Sequence, residues 1–343
     1  MESKSQDIPL SIIVPVYNVE AYIRLCMESI FQQGLEESSF EVIIVNDGTQ
    51  DNSMEAIRDI IQCHANITII EQTNQGLSVA RNNGIAQAKG KYILMLDSDD
   101  LLTEGVLTPL LIKAVEHDVD IAAAEYLEMT NQEISLFMAS PHDNQENLPI
   151  VMTSVEELQR SDMQKHICFV WRMLFRRDFL RENDLKFIPD IYYQDIPFTH
   201  ECYLKARKCL KTASPLTIYR QRPDSVTLSL FDERHAHSYC TAIVSTWKLS
   251  KISALEDSTK ETIEDVVYTQ LSFQIYFLAR ASLPAKELVS LLRMIKKEAP
   301  DMTFTHGLKQ RIKSFMFWHT PRLYTYLRLF YAKNVEDKGF RLL

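Results

Sequence analysis

The first hundred residues alternate short β-branched runs with helical stretches, and nothing else in the chain restricts the fold as strongly. Residues 11–16, 40–45, 67–70 and 92–96 are apolar runs of strand length. Between the first two, Val19, Tyr22, Ile23, Met27, Ile30 and Phe31 recur at helical spacing. A second helix is expected from about Asn52 to Cys63 and a third over 77–88, with Gly90 as its stop. Strands that alternate with helices pair in parallel through right-handed crossovers, because adjacent parallel strands need a long connection. The expected class is α/β, a mainly parallel mixed sheet flanked by helices. In such sheets ligands bind beyond the carboxyl ends of the strands. Tyr17-Asn18, Asn46-Asp47 and the run Asp97-Ser98-Asp99-Asp100 all directly follow strands.

Farther on the pattern changes. The polar stretch 130–148 reads as a loop or weak hairpin, residues 171–175 and Tyr219-Arg220 as short strands, and the chain from His235 as mainly helical. A division near residue 230 is expected, with an α/β domain over 1–230 and a helical region over 231–343. A net charge of −9 argues against a nucleic-acid binder, which carries a basic footprint. The six cysteines show no C-x-x-C pair and suit reduced thiols. Residues 1–7 lack the apolar core of a signal peptide, and no apolar run approaches the roughly 20 residues that span a bilayer. A cytoplasmic protein is the expectation.

Several residues are candidates for chemistry. Asp97 and Asp99, one residue apart at a strand end, are hard oxygen donors suited to Mg²⁺ or Mn²⁺, which take one or two carboxylates plus substrate phosphates. The competing reading is that they cap a helix starting near Leu101. Asp47 could accept the ring N–H of a uracil-type base, or simply make the turn that Asn-Asp-Gly favours. Arg81 could pair with a diphosphate, or lie solvated on the surface. Asp195, among Tyr192, Tyr193 and Phe198, suits a general base, or caps a helix over 197–206. From Lys309 on, eight basic residues face two acidic ones and interleave with aromatics. That composition fits a membrane-surface element, or a docked terminal helix. Pro15-Val16-Tyr17-Asn18 stands where a dinucleotide-binding oxidoreductase would carry G-x-G-x-x-G. The glycine- and lysine-rich phosphate loop of a nucleotidyltransferase is likewise not seen near the start.

Four motifs in order, 13–18, 45–53, 74–82 and 96–100, resemble glycosyltransferase family 2, the inverting family with the Rossmann-like GT-A fold. The likeness is strong over about 8–105 and weaker to about 229. It implies that Pro15, Val16, Tyr17, Asn18, Asp47, Arg81, Asp97 and Ser98 bind a nucleotide-sugar donor. It further implies that Asp99 holds Mn²⁺ or Mg²⁺ and that Asp195 is the catalytic base. Trp171, Arg176 and Gln194 would lie on the acceptor side. The acceptor would be a glycan or lipid-linked hydroxyl, met at the inner face of the membrane if the basic tail docks there. Two positions depart from the family pattern. Asn46 replaces an aspartate, and Gln194 replaces the glutamate before the base, which removes a negative charge beside it. The second departure marks either a tuned acceptor site or an impaired enzyme retained as a nucleotide-sugar-binding scaffold.

Overall fold

The computed structural model describes residues 8–139, 149–165, 168–222, 232–252, 255, 257–280, 285–302, 316 and 319–320. They fall into two compact units. One comprises Met1–Leu158, Phe169–Pro189 and Cys202–Thr227, the other Gln159–Cys168, Asp190–Glu201 and Leu228–Leu343. The segment carrying Gln194 and Asp195 therefore belongs to the helical unit.

The first unit holds one sheet. Its strands are Leu10–Val16 (β1), Phe40–Asn46 (β2), Ile67–Glu71 (β3), Tyr92–Met95 (β4), Leu101–Leu102 (β5), Ile121–Thr130 (β6), Val151–Thr153 (β7), Met173–Arg176 (β8) and Cys209–Gln221 (β9). The order is β3-β2-β1-β4-β8-β6-β9-β5, with β7 on β9. Pairing is parallel across β3-β2-β1-β4 and between β6 and β9, and antiparallel elsewhere. The chain thus moves outward from β1 to β3 and returns to β1's other side with β4, which puts a topological switch point beside β1. The helices are Ile23–Phe31 (α1), Arg58–Cys63 (α2), Leu77–Gln87 (α3), Leu107–His117 (α4), Asn131–Ala139 (α5), Val155–Lys165 (α6), Arg177–Glu182 (α7), Asp195–Lys205 (α8), Glu233–Leu249 (α9), Asp257–Arg280 (α10) and Ala285–Glu298 (α11).

Burial on both faces explains why β1 is a continuous apolar run. Leu10, Ile12, Val14 and Val16 share a core with Ile23, Met27 and Ile30 of α1. On the other face Ile13 meets α3 at Gly84, where an added Cβ would fall 2.4 Å from Ile13 Cγ2. Gly90 is not the stop of α3, which ends at Gln87. It lets the backbone pass against β1, because a Cβ there would lie 2.3 Å from Ser11 N and 2.4 Å from Leu10 C.

Two further expectations are corrected. Residues 131–139 of the stretch read as a loop form α5. The side-chain oxygen of Thr130 accepts the Glu133 N–H at 3.3 Å, and the Glu133 carboxylate accepts the Thr130 N–H at 2.8 Å. That is a capping box, and Ile134 seats the helix against Leu101 and Ile218. Residues 140–148 lie outside the described residues. Leu101 begins no helix; with Leu102 it pairs with β9 as a strand.

The second unit is helical. Asp232 caps α9 by accepting the His235 N–H at 2.9 Å. Tyr192 lies against His235 with ring centroids 4.7 Å apart, and Tyr193 meets Tyr239 edge-on at 4.8 Å. His200 is 1% exposed, and burial holds its imidazole pKa down to about 4. Its neutral form is therefore favoured by folding, and the contribution is lost as pH falls from 6.5 toward 4. At pH 5 wild type should lose about 2 kcal/mol more stability, relative to pH 7, than His200→Leu, as read by urea unfolding. Equal losses would clear His200 of that role. Among the described residues no helix is long and apolar enough to cross a membrane. Apart from Met316, His319 and Thr320, the basic segment from Lys309 lies outside the described residues.

Candidate functional site

The loops that follow β1 and β2 are latched to one another. Asn18, at φ 52°, donates its N–H to Thr49 Oγ1 at 2.8 Å and accepts the Gln50 N–H at 3.0 Å. Asp51 accepts the N–H of Glu20 at 2.9 Å, and Ser53 Oγ accepts that of Val19 at 2.9 Å. Tyr17 is left 41% exposed, and Pro15 and Val16 end β1 in register with Val45 and Asn46.

Asp47 is buried and organises the loop before α3. Oδ1 accepts Gln72 Nε2 and the Gln75 N–H, both at 2.7 Å, and Oδ2 accepts the Gly76 N–H at 2.9 Å. A carboxylate oxygen can accept a second donor, so Oδ2 keeps capacity for a ligand N–H. Gly48 is required beside it: its φ is +68°, and a Cβ would lie 2.9 Å from Asn74 N.

Arg81 is not a solvated surface residue. It is 1% exposed, its Nη2 lies 2.6 Å from Asp97 Oδ1, and its guanidinium sits 5.2 Å from the Phe187 ring centroid. Asn82 holds that ring's segment by exchanging two hydrogen bonds of 2.9 Å with the Phe187 backbone. Ser98 is buried.

Two of the three acids after β4, Asp99 and Asp100, meet the end of β9 and Arg222 beyond it. Arg220 donates its N–H to Asp100 Oδ1 at 2.8 Å and its Nε–H to the Asp99 carbonyl at 2.7 Å. Arg222 Nε lies 2.8 Å from Asp99 Oδ2. Both guanidiniums stand over Tyr22, 5.1 and 5.3 Å from its centroid. Burial and then the Asp97 charge push the Asp99 carboxyl above its ordinary range, and burial and then Asp99 push Asp100 well up. Cys26, whose Sγ lies 3.7 Å from the Asp97 carbonyl, is pushed well up by burial and then by Asp100. With β5 following them, the acids cap no helix. Their charge gathers at the switch point, where Arg81, Arg220 and Arg222 stand against it.

That charge tests the metal expectation. Among the described residues no group of three or more His, Cys, Asp or Glu converges to hold a metal ion. Asp97 and Asp99 still offer two hard carboxylates, partly exposed at 25% and 19%, and a divalent ion completed by phosphate oxygens needs no more. The donor set fits such an ion.

The acceptor-side candidates separate. Trp171 is 2% exposed and stacks on Phe169 and Tyr219 at 4.8 and 5.6 Å, with Tyr126 edge-on at 5.1 Å. Arg176 does not join the acid edge. It pairs with Tyr92 at the start of β4, roughly 15 Å along the strand from Asp97, and its Nη2 is tied to Asp120 at 2.6 Å. Gln194 is buried, and Asp195 opens the first turn of α8; both belong to the second unit. Arg220 and Arg222 are the functional candidates that sequence reasoning misses. Their one signal is the R-x-R spacing, with Arg220 at the end of β9 and Arg222 just past it.

The chain matches the model of the family described as Glycosyl transferase family 2 over residues 11–183. It is 36% identical over 222 residues to the uncharacterized glycosyltransferase EpsJ of Bacillus subtilis (strain 168), a match covering 64% of this chain and 63% of that protein. It is 28% identical over 336 residues to a poly(ribitol-phosphate) beta-glucosyltransferase of Bacillus spizizenii, covering 96% of this chain and 49% of that one. These matches span less than two thirds of each relative's length. In fold it resembles S. aureus TarS 1-349, solved in complex with UDP-GlcNAc, with a TM-score of 0.72 at 18% identity over 98% of this chain and 94% of that one. With the motifs in order along one sheet edge and the family matched over half its length, the chain belongs to glycosyltransferase family 2, enzymes built on the GT-A fold.

Proposed function

We propose that the protein moves a hexose or N-acetylhexosamine from a UDP-sugar to a hydroxyl of a glycan or lipid-linked acceptor, in surface-polysaccharide assembly, with inversion at the anomeric carbon. The observation that carries the donor half is the convergence of Asp47, Arg81 and the three acids at the carboxyl ends of β1, β2 and β4. The poly(ribitol-phosphate) beta-glucosyltransferase and the UDP-GlcNAc complex of TarS favour a UDP-sugar and a polymeric acceptor.

In this reading Asp47 accepts the uracil N–H while Tyr17 flanks the base. Arg81 holds Asp97 in place to accept from the ribose or the donor sugar. Asp99 would hold a divalent ion, which when bound would neutralise charge on the departing diphosphate. Asp195 takes the proton of the acceptor hydroxyl as that oxygen bonds to the anomeric carbon and the diphosphate leaves. Phe169 and Tyr219, half-buried, offer apolar ring faces to an acceptor sugar, with the buried Trp171 stacked against both. The basic aromatic segment from Lys309 supplies charge for meeting a lipid-linked acceptor at the inner membrane face.

A thermal-shift screen of nucleotide sugars with and without Mn²⁺ tests the reading. UDP-sugars should raise the melting temperature, more so with Mn²⁺, and GDP- and CMP-sugars should not. Equal shifts from all three nucleotides would overturn the role given to Asp47.

A further inference from the structure

Asp99 already has a cation. Arg222 Nε lies 2.8 Å from its Oδ2, and the two side chains are similarly exposed, at 18% and 19%. The other two arginines of the cluster are committed more deeply. Arg81 is fully buried on Asp97, and Arg220 is buried with its Nη1 on Asn131 Oδ1 at 2.5 Å and its Nε on the Asp99 carbonyl. Arg222 is the most accessible of the three, and it rests on the Tyr22 ring, a face on which a planar guanidinium can turn without losing its contact.

We propose that Arg222 is an internal counter-ion that occupies Asp99 until a nucleotide diphosphate and a divalent cation arrive together. The proposal rests on the reading of Asp99 as the metal-binding acid. Two cations on one carboxylate oxygen repel each other, so the ion-paired arginine opposes metal binding to the free protein. A diphosphate changes the balance because it offers the displaced guanidinium a bidentate partner. Nucleotide and metal must then favour each other's binding by the same factor. Asp99 is kept from binding cations unproductively, and the arginine released is available to the leaving group.

The test is a Mn²⁺ titration followed by the electron paramagnetic resonance signal of the free ion, with and without UDP, on wild type, Arg222→Gln, Arg222→Lys and Asp99→Asn. Without UDP, Arg222→Gln should bind Mn²⁺ about ten-fold more tightly than wild type, and UDP should tighten its binding much less. Arg222→Lys, which keeps the charge, should follow wild type; if it follows Arg222→Gln instead, charge is not the cause and the proposal falls. It falls equally if Arg222→Gln binds Mn²⁺ no more tightly than wild type while Asp99→Asn abolishes binding. Mn²⁺ binding that survives Asp99→Asn would overturn the metal assignment itself, and the proposal with it.

Discussion

Asp195→Asn is expected to bind donor as wild type does and to transfer sugar two to four orders of magnitude more slowly. The substitution keeps the shape of the side chain and one acceptor oxygen, but the amide takes no proton near neutral pH. In the proposed reading donor affinity, measured calorimetrically with UDP and Mn²⁺, draws on the loops of the α/β unit, whereas Asp195 opens α8 in the other. The two readouts should therefore separate. An Asp195→Asn protein that still turns over at the wild-type rate would remove it as the base.

Asp47→Asn should cost about one hundred-fold in UDP affinity, equivalent to about 2.7 kcal/mol. Both carboxylate oxygens of Asp47 accept N–H donors, three in all. An amide in that place must turn its NH₂ toward at least one of those donors, leaving a buried clash and a disordered approach to α3. The same change removes the acceptor proposed for the uracil N–H, so discrimination between UDP and CDP should fall along with affinity. A variant that binds UDP unchanged would return Asp47 to the role of a turn residue only.

The strands and the loop acids were legible because both are local. A buried parallel strand writes itself as a β-branched run, and a turn as Asn-Asp-Gly. Residues whose meaning depends on a distant partner were not. Arg81 has the look of a surface residue until Asp97, sixteen positions on, is seen to neutralise it. Gly90 resembles a helix stop because spacing cannot reveal the backbone of Leu10 and Ser11 lying across it. The helix at 131–139 was hidden because the polar run 140–148 that follows coloured the whole stretch, although Thr130 and Glu133 carried its capping signature. Arg176 matched an acceptor-side segment by order, yet the antiparallel pairing of β8 carries it toward the opposite end of the sheet. Segment 190–201, read as part of the first domain, packs with the helices because its aromatics find partners on α9.

The pairing of β9 with β5 has a consequence for how the protein comes into being. The contact from Arg220 to Asp100 spans 120 positions, about 6 to 24 s of translation at ordinary rates. Through that interval a growing chain holds Asp99 and Asp100 without the two arginines that pair with them. Closure of so long a loop comes late in folding. Pairing of Asp99 and Asp100 with these arginines is thus completed only after Arg222 has emerged.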